Sequence, residues 1–93
     1  MRVVGADALQ RISIKRPETQ GAIGALYAVL SAASWPSREA MLAELGAIAR
    51  PDEDGAIVIT MPAVEVRLRA NHAAGVILIE SAEHVRPAKE KRK

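Results

Sequence analysis

The sequence predicts an α+β fold: a two-layer sandwich in β-α-α-β-β-β order, with two helices on one face of a mainly antiparallel sheet. Three observations carry that expectation. Thr19 to Ser37, TQGAIGALYAVLSAASWPS, contains no charged residue and reads as a helix with its exit. Residues 9–15, LQRISIK, alternate between apolar and polar side chains, as a strand does. From Ala56 onward, short runs of β-branched residues are separated by turn residues, the pattern of consecutive antiparallel strands.

Each element has a local reason. In 9–15, Ile12 and Ile14 fall on one side and Arg11, Ser13 and Lys15 on the other, which predicts a half-exposed first strand. Pro17-Glu18 suits a helix start, because proline fits the first turn and an acid there complements the dipole. The first helix then spans about 17–33, with Ile23, Leu26, Tyr27 and Leu30 as its large apolar face. Gly24, Ala28 and Ala32, spaced four apart, form a second face of small residues that lets another backbone come close. Ser34-Trp35-Pro36-Ser37 breaks the chain, and a serine cap with Arg38-Glu39 opens a second helix running to about 49. Met41, Leu45 and Ile48 are expected inward on it, Gly46 weakens its last turn, and Arg50-Pro51 ends it.

Pro51-Asp52-Glu53-Asp54-Gly55 is an acidic turn. Ile57-Val58-Ile59 and Val76-Ile77-Leu78-Ile79 are continuous apolar runs, the pattern of strands covered on both faces. Between them, Val64, Val66 and Leu68 alternate with Glu65, Arg67 and Arg69, a strand with one wet face. Asn71 to Gly75 makes the hairpin loop. Two helices cover only one face of such a sheet, so the doubly apolar strands call for a second cover, and another copy of the chain is the simplest one.

Composition bounds what this chain does. It has 93 residues, 49% hydrophobic and 26% charged, with 18 alanines but no Phe, one Tyr and one Trp. Without aromatic bulk, Val, Ile, Leu and close backbone contact must build the core, which favours association with a partner. Residues 86–93, RPAKEKRK, carry five of the 13 bases and one of the 11 acids, leaving eight bases and ten acids in the rest. The body is therefore mildly acidic and the basic character belongs to the end. The expected organisation is a single α+β domain over 1–85 and a basic, disordered tail over 86–93.

With no cysteine, disulfides, thiolate metal sites and cysteine nucleophiles are excluded, in keeping with a cytoplasmic setting. Gly21 to Ala33, thirteen residues, reaches only about 20 Å as a helix, short of the roughly 30 Å of a bilayer core. Lys15-Arg16 before a run ending in Ser31-Ala32-Ala33 has the outline of an export signal, but the run is Ala/Gly-rich and strand-like sequence precedes it. No membrane partner is expected. A helix-turn-helix reading fails at AIARPDEDG, where Pro51 and three acids stand in the place of a recognition helix. His72 and His84 are too few and too far apart for a metal set or a catalytic pair, and no G-x-S-x-G turn or phosphate-binding lysine loop occurs. Neither catalysis nor a cofactor is expected.

Two binding surfaces remain. The first joins the small-residue face, Gly24, Ala28 and Ala32, to the apolar strand residues Val58, Ile77 and Ile79 as a protein interface. The second gathers Arg11, Lys15, Arg67 and Arg69 on the wet sheet face with Lys89, Lys91 and Arg92 of the tail as a nucleic-acid surface, without the aromatics that stack on bases. The order of elements over residues 9–87, with Val76-Ile77-Leu78-Ile79 through His84-Val85-Arg86-Pro87 as last strand and exit, resembles that of the ParE and RelE toxin family. That resemblance implies a toxin acting on RNA or gyrase, although the family's longer, more charged helices and its aromatics on the sheet are missing here. The favoured expectation is a non-enzymatic interaction module that forms a homodimer and regulates or inhibits another protein, of the size met in phage and mobile elements. A nucleic-acid-associated protein and a ParE/RelE-like toxin are the alternatives.

Overall fold

A computed structural model describes residues 1–85; the expected tail at 86–93 and its Lys89, Lys91 and Arg92 lie outside the described residues. The elements are β1 (Arg2–Val4), α1 (Asp7–Lys15), a 3-10 turn (Pro17–Thr19), α2 (Gln20–Ala32), α3 (Arg38–Leu45), a second 3-10 turn (Gly46–Ile48), β2 (Ala49–Pro51), β3 (Ile57–Met61), β4 (Val64–Asn71) and β5 (Val76–His84). The strands form one sheet in the order β1-β5-β4-β3-β2, antiparallel except where β1 runs parallel to β5. This is the expected α+β class, with the helices on one face of the sheet.

The first strand is not where the alternation puts it. Residues 9–15 belong to α1, and the first strand is the three-residue β1 before it. Leu9 and Ile12, three apart, are the buried pair, while Ile14 is 69% exposed. Two isoleucines at i and i+2 imitate a strand; the Leu9–Ile12 spacing is the one that packs. Asp7 and Arg11 close an i,i+4 ion pair at 2.9 Å on the outer side of the same helix. Gly5 makes the turn from β1 into α1 possible. Its φ is +84°, and a Cβ there would lie 2.7 Å from the Ile79 carbonyl oxygen.

Helix α2 buries only Ile23, Leu26 and Leu30, at i, i+3 and i+7, against the sheet. Burying each such side chain stabilises the fold by roughly 1.5–3 kcal/mol. At its C-terminus the Met1 amino group donates to the carbonyls of Leu30 (3.2 Å), Ser31 (3.1 Å) and Ala33. A positive charge there opposes the negative end of the dipole, where α2 has no basic residue of its own. Ser37 caps α3, its hydroxyl accepting from the Ala40 N–H at 3.1 Å, so of the two serines in 34–37 it is the one after Pro36 that serves. The helix ends at Leu45 because Gly46 takes a φ of +69°, so Ile48 is left 41% exposed instead of turned inward. The core joins Leu9, Ile12, Ile23, Leu26, Leu30, Trp35 and Met41 to Ile57, Ile59, Val64, Val66, Leu68, Ile77 and Ile79.

A bulge on β5 keeps that core continuous. Leu68 pairs with Ile79 and Arg67 with Ser81, so Glu80 is an extra residue. Before it the odd residues Ile77 and Ile79 face the helices; after it Ala82 does, opposite Val66. Glu80 is thereby turned toward Arg67 and Arg69 on the far face.

Candidate functional site

Two surfaces of the domain differ sharply in how their side chains are satisfied. The first is the sheet face turned away from the helices. Arg67 donates from Nη1 to Asp52 Oδ2 at 2.5 Å and from Nη2 to Asp54 Oδ2 at 2.6 Å, with Nε 3.3 Å from Glu80 Oε1. Arg69 reaches Glu80 Oε2 from Nε at 2.6 Å, Asp54 Oδ2 from Nη2 at 2.9 Å and the Asp54 carbonyl from Nη1 at 2.9 Å. The two guanidinium groups hold the 52–55 turn and the β5 bulge to neighbouring residues of β4.

The turn is internally organised for this role. The Asp52 carboxylate accepts from the Glu53 N–H at 2.9 Å, and the Asp54 carboxylate accepts from the Ala56 N–H at 3.2 Å. Those backbone donors, followed by Arg67, hold both carboxyls below the usual aspartate range. The same contacts raise Arg67, mainly through Asp52 and Asp54, and Arg69, mainly through Glu80. These arginines are already matched, which leaves them poorly placed to serve phosphate groups. Nor do the expected basic residues converge: Arg11 and Lys15 lie on α1 instead of on a sheet strand, and Arg11 pairs with Asp7. Glu65 pairs with Arg50 at 3.9 Å.

This network also answers the question of the doubly apolar strands. Val58 is 5% exposed on the far face without any second chain. Its cross-strand neighbours are Arg50 on β2 and Arg67 on β4, and long arginine stems on both flanks screen a small side chain between them. Ile77 and Ile79 point the other way and are buried under the helices. Val58, Ile77 and Ile79 are therefore enclosed by the chain itself and drop out of the expected interface. Leu78, 43% exposed beside its register partner Val4, is the apolar spot that stays open on this face.

The second surface is the outer side of α2. Gly24, Ala28 and Ala32 all lie on it and are exposed, together with Gly21, Ala25 and Ser31. Tyr27 and Val29, 44% and 43% exposed, flank them. A surface helix ordinarily turns charged residues outward; here not one outward side chain of α2 carries a charge. The small face is not used inside the chain, since a Cβ placed on Gly21 or Gly24 would meet nothing within 4 Å. Beside Val29 the surface sinks into a groove of about 240 Å³ lined by Ala22, Ala25, Leu26, Val29, Leu45, Ile48, Met61 and Pro62. Ile48 joins this surface because α3 stops early, a consequence of Gly46 that the inward expectation for Ile48 missed.

A larger hollow of about 410 Å³ lies between α1 and the end of β5, lined by Arg11, Ile12, Ile14 and Lys15 of the helix and by residues 80–83 of the strand. The histidines serve separate backbone and side-chain contacts. His72 Nδ1 lies 3.1 Å from the Trp35 carbonyl, and His84 Nδ1 lies 3.0 Å from Arg16 Nη2. A carbonyl only accepts and an arginine only donates, so Nδ1 carries the proton in His72 and is the acceptor in His84. Among the described residues, no three His, Asp or Glu side chains are arranged to hold a metal ion, and no helix is long and apolar enough to cross a membrane.

The sequence matches no known protein family model and no curated protein. The likeness in element order to the ParE and RelE toxins placed the first strand at 9–15; that segment is α1, and the strand that precedes the helices is β1.

Proposed function

We propose that this protein is a non-enzymatic interaction module that self-associates and regulates or inhibits another protein, with the outer face of α2 as its contact surface. One observation carries the reading: an exposed, charge-free helix face runs without interruption into an apolar groove. Of the six large hydrophobic side chains exposed among the described residues, Val29 and Ile48 line the groove and Tyr27 stands on the other flank of the small-residue face. Contiguous exposed apolar surface on a small domain marks a contact site. The ion-paired arginines of β4 favour this reading over a nucleic-acid-associated protein, because their charge is already spent on Asp52, Asp54 and Glu80.

The test is capture from the native cell by immobilised protein, using wild type, Val29→Glu on α2 and Leu78→Glu on the sheet. A partner retained by wild type and Leu78→Glu but lost by Val29→Glu is the expected result. A partner lost only through Leu78→Glu, or held equally by all three, contradicts the proposal.

A further inference from the structure

We infer that the face of α2 and its adjoining groove form the contact between two copies of this chain, related by a two-fold axis. This rests on the proposal that α2 carries the interaction surface, and it commits that surface to one occupant.

The choice of occupant follows from charge. A two-fold axis sets a patch against itself, so any net charge on the patch faces the same charge on the partner. Charged residues make up 26% of this chain, yet none occurs between Thr19 and Ser37. The groove residues Leu45, Ile48, Met61 and Pro62 extend the uncharged surface beyond α2 without adding an ionisable group. Such a surface meets its own copy without repulsion. It offers no counter-charge to a nucleic acid or to a strongly charged protein. Helices that lie on lipid carry a polar, basic face opposite their apolar one. The opposite face of α2 is Ile23, Leu26 and Leu30, locked in the core, so the helix has no polar side to turn toward water.

Shape agrees with charge. Tyr27 and Val29 stand out on either flank of the small residues, and the groove beside Ile48 is a recess of about 240 Å³ lined by apolar residues. One surface thus carries both projections and a hollow, as a contact between identical faces requires. Gly21 and Gly24, unopposed within the chain, let the second backbone approach.

Sedimentation equilibrium of the full chain tests this, with folding followed by the fluorescence of Trp35, the only tryptophan and a buried one. Wild type should show a reversible monomer–dimer equilibrium. Ala25→Glu, on the exposed face of α2, should raise the dimer Kd roughly tenfold or more by setting like charges together. Ile14→Glu, an exposed apolar position on α1, should leave the Kd unchanged. Mixing Ala25→Glu with Ala25→Lys should restore association between the two variants. A folded wild type that stays monomeric up to millimolar concentration overturns the inference, as does a dimer indifferent to Ala25→Glu. If the wild type is monomeric while Val29→Glu still abolishes capture of a cellular partner, the homodimer falls and the interaction module stands.

Discussion

On the far face of the sheet, both arginines of β4 meet carboxylates, and even the small apolar Val58 is shielded between arginine stems. On the outer face of α2, no side chain carries a charge, and Tyr27 and Val29 stand open to water beside an apolar groove. Both faces were candidates for the same role, as the place where a second chain completes the fold. The difference shows that an apolar strand run does not by itself require a partner. Arg67, Arg69 and the Asp52–Gly55 turn close the sheet from within the chain. Nothing comparable lines the groove beside α2, which offers Leu45, Ile48, Met61 and Pro62 and no long charged stem.

The two sides of α2 should therefore separate stability from association, and this is the largest expected effect. Leu30→Ala, in the core, should lower unfolding free energy by about 2–5 kcal/mol. Ala28→Glu, on the outer side, should change it by less than about 0.5 kcal/mol while weakening self-association. Denaturant titration read by Trp35 fluorescence measures both. Equal losses of stability would mean that the outer face is also part of the folded core, and the comparison would break.

Gly24→Ala sharpens the same point more gently. With open space around a Cβ at that position, the monomer should gain roughly 0.5–1 kcal/mol from helix propensity. If close backbone contact between copies matters, the variant should associate less tightly even as it folds more stably.

Acid should act on the sheet face and spare α2. Asp52 and Asp54 have lowered values in the folded protein, so their contribution is present above the unfolded aspartate value of about 4 and is lost as pH falls through the lower folded values. Thermal unfolding should be nearly independent of these groups above about pH 5 and weaken below about pH 4. Arg67→Ala should make that acid limb shallower without abolishing it, because the Glu53 and Ala56 N–H donors remain, and should lower the midpoint at neutral pH. Between pH 5 and 8 the dimer should hold constant affinity, as the α2 face has no group titrating there. Salt gives the smallest effect: raising it from about 0.05 to 0.5 M should shift the dimer Kd by no more than about twofold, since no charge pair is there to be screened.

What could be read before folding depended on how local the cause was. The span of α2, a serine cap before α3 and the three long strands follow from periodicity and turn residues within a few positions, and the structure places them close to where those signals put them. Residues 9–15 were misread because Ile12 and Ile14 mimic alternation, whereas Leu9 and Ile12 decide the packing. The strands β1 and β2 have three residues each, too few for any period, and exist through pairing with β5 and β3. The cover over Val58 needed Arg67 to find Asp52 and Asp54 across the hairpin, a contact that no local pattern announces. The candidate interface divides the same way. Gly24, Ala28 and Ala32 were visible as a helical face, but their freedom from internal contacts and the groove created by the early end of α3 belong to the tertiary structure alone.

The most direct measurement is a dilution series followed by backbone amide NMR, which watches both faces in one sample. As concentration rises, amides of α2 from Gly21 to Ala32 and that of Ile48 should shift together along a single binding curve. Those of Arg67, Arg69 and Leu78 should stay in place. Shifts confined to β4, Leu78 and Val4, with α2 unmoved, would contradict the assignment of the contact surface to α2.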